Sequence, residues 1–223
     1  LGISYLAAEG FFRLYFIKTR YTPALRISLI ILLTAITLTL MLLTWERTQA
    51  WKDSITLWSD VLENYPSVYK AYHNRGNAFF DKGEFDKSIS DYNKLIQVNP
   101  DYAMAYHNRG IVYYEQRDLD KAFSDFDRAI QIDPEYADAY NNRGVCYKDQ
   151  GKLDQAIADY SKAIQINPSL PKTYNNRGNA YRARGDFERA ISDYNKAIEL
   201  KPDYEDAYNN LRITHTLTLK QEF

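Results

Sequence analysis

ADAYNNRGVCYKDQGKLDQAIADYSKAIQINP, residues 137–168, is followed by PKTYNNRGNAYRARGDFERAISDYNKAIELKP, residues 171–202, and the two share YNNRG, a second Tyr, a Gly, Ala-Ile, Asp-Tyr, Lys-Ala-Ile and a closing Pro at a spacing of 34 residues. The same spacing separates Pro66, Pro100, Pro134, Pro168 and Pro202, so the register extends upstream. Four full units result, residues 69–102, 103–136, 137–170 and 171–204. Trp51 to Pro66, inside a connector of residues 46–68, matches the second half of a unit. Residues 205–223 match the first half of another and form a partial repeat or capping helix.

Each unit reads as two helices. In the first, Tyr72, Asn74, Gly76 and Phe79 recur as Tyr106, Asn108, Gly110 and Tyr113, then as Tyr140, Asn142, Gly144 and Tyr147, then as Tyr174, Asn176, Gly178 and Tyr181. The fourth, eighth and eleventh positions share one face at 3.6 residues per turn. Glycine in the middle of that face lets another helix approach closely, at some cost in helix propensity. Gly83, Gly151 and Gly185 then suit the left-handed residue that ends a helix, with Arg117 the exception. The second helix repeats small, aromatic, and small or aliphatic residues: Ser88, Tyr92, Leu95; Ala122, Phe126, Ala129; Ala156, Tyr160, Ala163; Ala190, Tyr194, Ala197. Proline stops it.

The 34-residue period with these columns resembles the tetratricopeptide repeat family, from about residue 51 to the end of the chain. The resemblance implies an all-α fold, a right-handed superhelical solenoid of antiparallel helix hairpins whose concave groove is lined by first helices and receives a peptide or a partner's helix. It explains most of the twenty tyrosines as packing residues.

In that family the groove presents the second, fifth, sixth, ninth, twelfth and thirteenth positions of each unit. The sixth is Asn throughout, as Asn74, Asn108, Asn142, Asn176 and Asn210, and the fifth holds His73, His107, Asn141, Asn175 and Asn209. A carboxamide carries donors and an acceptor, so a ladder of them can hold the backbone of an extended peptide without reading its side chains. Similar ladders line the groove of the nucleocytoplasmic glycosyltransferase that adds N-acetylglucosamine to proteins. The alternative is that these amides only satisfy neighbouring groups. Chaperone-binding members clamp a C-terminal carboxylate with Lys at the fifth position and Arg at the sixth. This chain has neither, and only Lys70, Lys172, Asn77 and Asn179 match any part of the clamp.

The two histidines do not form a metal site, because equivalent residues one repeat apart are separated on the order of 10 Å, whereas two zinc ligands converge on one ion at ~2 Å. No cofactor is implied. Catalysis has no HExxH, no phosphate-cradling glycine loop and no nucleophile with a base at an interpretable spacing. Cys146 stands where sister units have Ala78 and Ala180, the place of a small buried thiol.

Two columns depart together from the family's usual residues. The seventh, commonly Leu, is Arg75, Arg109, Arg143 and Arg177; the twenty-third, commonly aromatic, is Asp91, Asp125, Asp159 and Asp193. An Arg inside a packed helix pair needs an anionic partner, so four structural ion pairs are expected within each hairpin or across to the adjoining helix.

Upstream, residues 27–45 carry no formal charge between Arg26 and Glu46. At ~1.5 Å per residue this transmembrane helix would span roughly 28 Å, close to the hydrocarbon core of a bilayer. Residues 1–26 read as the end of an upstream membrane segment and a basic loop, with Arg13, Lys18, Arg20 and Arg26. The positive-inside rule then makes that loop cytoplasmic and the repeat array extracytoplasmic, in a periplasm or organelle lumen. A net charge of -1 gives no electrostatic reason to expect nucleic acid.

These readings describe a membrane-anchored interaction scaffold that binds a peptide or partner protein. A second reading comes from residues 1–65. EGFFRLY, the membrane helix and WERTQAWKDSITLW leading into the repeats resemble the C-terminal part of multi-spanning glycosyltransferases with tetratricopeptide tails, such as the transmembrane O-mannosyltransferases and their bacterial relatives. That resemblance implies the acceptor-binding part of an enzyme whose catalytic region is absent from this chain.

Overall fold

The structure, a computed structural model, describes residues 23–50 and 52–221, which fall into two units, residues 1–53 and 54–223. The expected upstream membrane segment and basic loop, with Arg13, Lys18 and Arg20, lie outside the described residues, as does EGFFRLY.

Among the described residues the first unit contains one helix, α1 (Pro23–Ala50). Within it Ile27–Trp45 has a mean hydropathy of 2.5, none of it buried, and is long and apolar enough to cross a membrane by length and composition. Its threonines turn their hydroxyls back onto the helix: Thr34 donates to Ile31 O at 2.8 Å, and Thr37 and Thr39 donate to Thr34 O and Ala35 O at 2.9 Å. No threonine hydroxyl in that stretch is left to seek water.

The second unit contains α2 (Ser54–Asn64), α3 (Tyr69–Asp81), α4 (Phe85–Val98), α5 (Ala103–Glu115), α6 (Leu119–Ile132), α7 (Ala137–Asp149), α8 (Leu153–Ile166), α9 (Pro171–Ala183), α10 (Phe187–Leu200) and α11 (Glu205–Gln221). It is all-helical among the described residues. First helices α3, α5, α7 and α9 each pair with the second helix that follows, and each second helix packs on the next first helix. First helices also touch the next first helix, from α3 through α11, whereas second helices do not touch one another. The stack therefore curves with its first helices on the inside.

Steric detail fixes each hairpin. A Cβ placed on Gly144 would lie 2.7 Å from Cε1 of Tyr160, and one on Gly178 equally close to the Tyr194 ring, so only glycine admits these aromatics. The small and aromatic columns of the second helices are buried in every unit. The turn between helices passes through a left-handed residue, φ 74° at Gly83 and Gly151 and 83° at Gly185, and in the second unit through Arg117 at φ 64°. Second helices end in an extended residue, Asn99, Asp133, Asn167 or Lys201, directly before proline. The proline ring forbids α geometry to its predecessor, which gives the column its stop signal.

Candidate functional site

The inner face carries the fifth and sixth columns, and they bond along the stack. Asn176 Nδ2 donates to Asn141 Oδ1 at 3.1 Å, Asn141 Nδ2 to Asn142 Oδ1 at 3.0 Å, and Asn142 Nδ2 to His107 Nε2 at 3.0 Å. An amide NH₂ only donates, so His107 Nε2 accepts and the ring proton sits on Nδ1. Nδ1 lies 3.1 Å from Asn108 Oδ1 and 3.0 Å from the Tyr136 hydroxyl. Asn108 Nδ2 then donates to Asn77 Oδ1 at 3.2 Å, and Asn77 Nδ2 to His73 Nε2 at 3.1 Å. Seven side chains thus form one directional chain of donors across four repeats, in which each bond polarises the next. At the C-terminal end Asn210 donates to Asn175 Oδ1 at 3.0 Å and accepts from Arg182.

The sixth-column amides are only half-buried, and one bond leaves each with unused capacity, such as the second N–H of Asn142 and of Asn176. Asn74 stands on the same face in the first unit. Burial lowers the pKa of both His73 and His107, which keeps the rings neutral. Neither is near a cluster that could hold a metal, and no such cluster occurs among the described residues.

The Arg and Asp columns meet within each hairpin. Arg75 Nε and Nη2 reach Asp91 at 2.8 and 2.7 Å, Arg109 reaches Asp125 at 2.8 and 2.7 Å, Arg143 reaches Asp159 at 2.8 and 2.7 Å, and Arg177 reaches Asp193 with both bonds at 2.8 Å. Each guanidinium spends its remaining arm on the preceding second helix: Ser59, Asn93, Asp127 and Ser161 in turn. A fourth-column ring flanks each one, as Tyr140 does Arg143 at 5.5 Å from its centroid. The second ring comes from the eleventh column, as Tyr181 at 5.8 Å from Arg177, except at Arg143, where Phe123 takes that place at 5.9 Å. One residue per unit therefore ties three helices together, and this cross-repeat arm was not foreseen from sequence.

The ninth column, a groove position by family resemblance, also bonds to the second helix. Asn77 and Asn179 accept from the phenols of Tyr92 and Tyr194 at 2.5 and 2.9 Å. The middle units carry Ile111 and Val145 there, opposite Phe126, which has no hydroxyl, and Tyr160, whose buried hydroxyl has no partner. The pairing of Asn with Tyr and Ile with Phe was a readable sequence signal, broken only at Val145. Cys146 is fully buried, and burial pushes its thiol up to about 12, which makes it a packing residue rather than a nucleophile.

Two family profiles cover this array, the tetratricopeptide repeat over residues 137–170 and 171–204 and the TPR repeat over residues 76–117 and 112–151, together more than half of the chain. The chain belongs to the tetratricopeptide repeat family. Among solved structures, MamA is similar at 28% identity and a TM-score of 0.60, over 66% of this chain and 86% of that one. The first TPR of Spaghetti (RPAP3), bound to the HSP90 peptide SRMEEVD, is similar at 29% identity and a TM-score of 0.52, over 52% and 93%. YrrB, described as a TPR protein with an unusual peptide-binding site, shares the fold at 21% identity and a TM-score of 0.58, over 77% and 86%. No curated relative matches the chain. In this tetratricopeptide array the Arg–Asp pairs join the two helices of each hairpin, and the amide chain runs along the first helices.

Proposed function

We propose that this protein is a membrane-anchored scaffold whose tetratricopeptide groove binds an extended segment of a partner protein. The observation that carries the reading is the run of half-buried amides on consecutive first helices, held in register by their own bonds, so that their remaining donors are presented in a row. Preordered donors lose little entropy when a peptide backbone docks on them. The similar RPAP3 domain is bound to an HSP90 peptide, which supports a peptide ligand for this array. Ile27–Trp45 is the anchor, with the array on the extracytoplasmic side.

The test is selection from a random nonapeptide display library on the full chain in detergent micelles. Binding peptides are expected, and changing Asn142 and Asn176 together to Ala should weaken them while circular dichroism keeps its helical signal. A library that yields no peptide, or peptides indifferent to that change, overturns the groove reading. For the anchor, the chain should stay in the membrane pellet after alkaline carbonate extraction, and protease added to the extracytoplasmic face should digest the array. Release by carbonate removes the anchor.

The order of segments, an apolar helix and then a half repeat at Ser54–Asn64, also fits a second reading, in which the array is the acceptor-binding tail of a multi-spanning glycosyltransferase. Natural reading frames that continue upstream into eight or more apolar spans with an acidic loop after the first would favour it, and frames without them would remove it.

A further inference from the structure

The groove is not uniform along its length. Between α5, α7 and α9 it sinks into a depression of about 320 Å³. Ile111, Val145 and the edge of Phe126 line its apolar part, and Asn142 and Asn176 line its polar part. The depression exists because the ninth column changes chemistry here. At both ends of the array a carboxamide, Asn77 or Asn179, covers the aromatic ring of the second helix and binds its hydroxyl. In the middle, Ile111 and Val145 present methyl groups instead.

Tyr160 marks the change. In the first and fourth units the equivalent phenol reaches the ninth-position side chain, so that of Tyr160 lies beside Val145. It is 0% exposed and has no hydrogen-bond partner. A buried hydroxyl without a partner destabilises a fold, and an Asn at position 145 would cure it as it does in the neighbouring units. Val145 leaves that hydroxyl unpaired and turns an apolar surface to the depression instead.

Charge is arranged across the depression. Glu115 stands on its α5 side, and Lys148 and Lys172 on the α7 and α9 side. Lys148 shares Asp149 at 3.3 Å with the Tyr114 hydroxyl, and Lys172 has no ion-pair partner among the described residues. A ligand that fills the dip with an aliphatic side chain meets unpaired positive charge towards α9.

Resting on the proposed peptide groove, we infer that the occupant is an internal peptide segment with an aliphatic side chain seated on Ile111 and Val145 and an acidic residue directed to Lys148 and Lys172. A C-terminal carboxylate is not required, since the fifth and sixth columns offer it no cation. The apolar contact supplies affinity, and the lysines set the direction of the chain and reject basic sequences.

The same nonapeptide selection tests this. Wild-type protein is expected to enrich Leu, Ile or Val with Asp or Glu on one side. Lys148→Glu with Lys172→Glu should abolish the acidic enrichment and turn it towards Lys and Arg. Val145→Asn is the separating variant: it should raise the melting temperature by giving Tyr160 a partner, yet weaken a selected synthetic peptide roughly tenfold in fluorescence anisotropy. Peptides that bind through Asn142 and Asn176 but show no acidic or aliphatic preference, or that bind Val145→Asn as well as wild type, overturn the inference and leave the groove standing. A selection that returns no peptide overturns both.

Discussion

Arg143 holds Asp159 by two parallel hydrogen bonds of 2.8 and 2.7 Å, and its third arm reaches Asp127 of the preceding repeat at 2.9 Å. Their side chains are 16% and 9% exposed, so the pair is desolvated enough for the loss of one partner to be felt. Arg143→Leu strands one carboxylate at Asp159 and leaves another at Asp127, at a cost on the order of 3 kcal/mol. Asp159→Tyr leaves the guanidinium with Asp127 alone. The two changes together restore the family's common Leu and aromatic residues, so the double variant should unfold at higher denaturant than either single one. Chemical denaturation of the four proteins measures the coupling, and simple additivity would reject a specific pair.

Arg177 offers a graded comparison. Its third arm meets the Ser161 hydroxyl at 3.1 Å rather than a carboxylate. Arg177→Leu should therefore cost less than Arg143→Leu in the same denaturation series.

The Arg and Asp columns were legible because both recur at the repeat period and because an Arg in a packed hairpin demands an anion. Their third contact was not. It joins a seventh position to a residue sixteen places upstream in the preceding unit, and whether two such residues meet depends on how far one hairpin is rotated on the next. The same limit hid the amide chain. Sequence placed the fifth and sixth columns on one face, but a bond such as Asn176 to Asn141, 35 residues apart, is a property of the stack. Column identity is local information; the rise between repeats is not.

Arg117 occupies the turn where the other units have glycine, and it adopts φ 64°. A side chain in the left-handed region brings Cβ too close to the following carbonyl, a strain glycine lacks. Arg117→Gly should stabilise the array by about 0.5 to 1 kcal/mol, the relief of strain being partly offset by the greater freedom of glycine in the unfolded chain. A differential scanning calorimetry trace with a lower melting temperature for the variant would contradict this.

His107 should make the array sensitive to acid. Its folded pKa is lowered by burial, with Asn108 and Asp138 opposing the shift, so the unfolded state takes up a proton first. The contribution of neutral His107 is fully present above the unfolded value near 6.5 and is lost as pH falls through the lower folded value. Protonation places an N–H on Nε2 against the donating amide of Asn142, which breaks the donor chain at its centre. His73, also lowered by burial, adds in the same direction. His107→Asn, which copies Asn141 and Asn175, should keep the chain intact and reduce the loss of melting temperature between pH 7 and pH 5. An unchanged acid dependence would take His107 out of the account.

Tyr160 and Tyr92 occupy the same column and are both buried, but only Tyr92 has a partner for its hydroxyl. Tyr92 donates to Asn77 Oδ1 at 2.5 Å, whereas Tyr160 faces Val145 and has no partner. Replacing a hydrogen-bonded buried tyrosine by phenylalanine forfeits about 1 kcal/mol and leaves the acceptor with less to bind. Replacing an unpartnered one removes a desolvation penalty instead, because the hydroxyl surrendered its water on folding and gained no partner in exchange. Tyr92→Phe should therefore lower stability by about 1 kcal/mol, and Tyr160→Phe should leave it unchanged or raise it. Phe126, which fills the same column opposite Ile111, is the arrangement that Tyr160→Phe would reproduce. Equal losses from the two substitutions in urea denaturation would mean that the Tyr160 hydroxyl finds a partner, such as a buried water beside Val145, in solution.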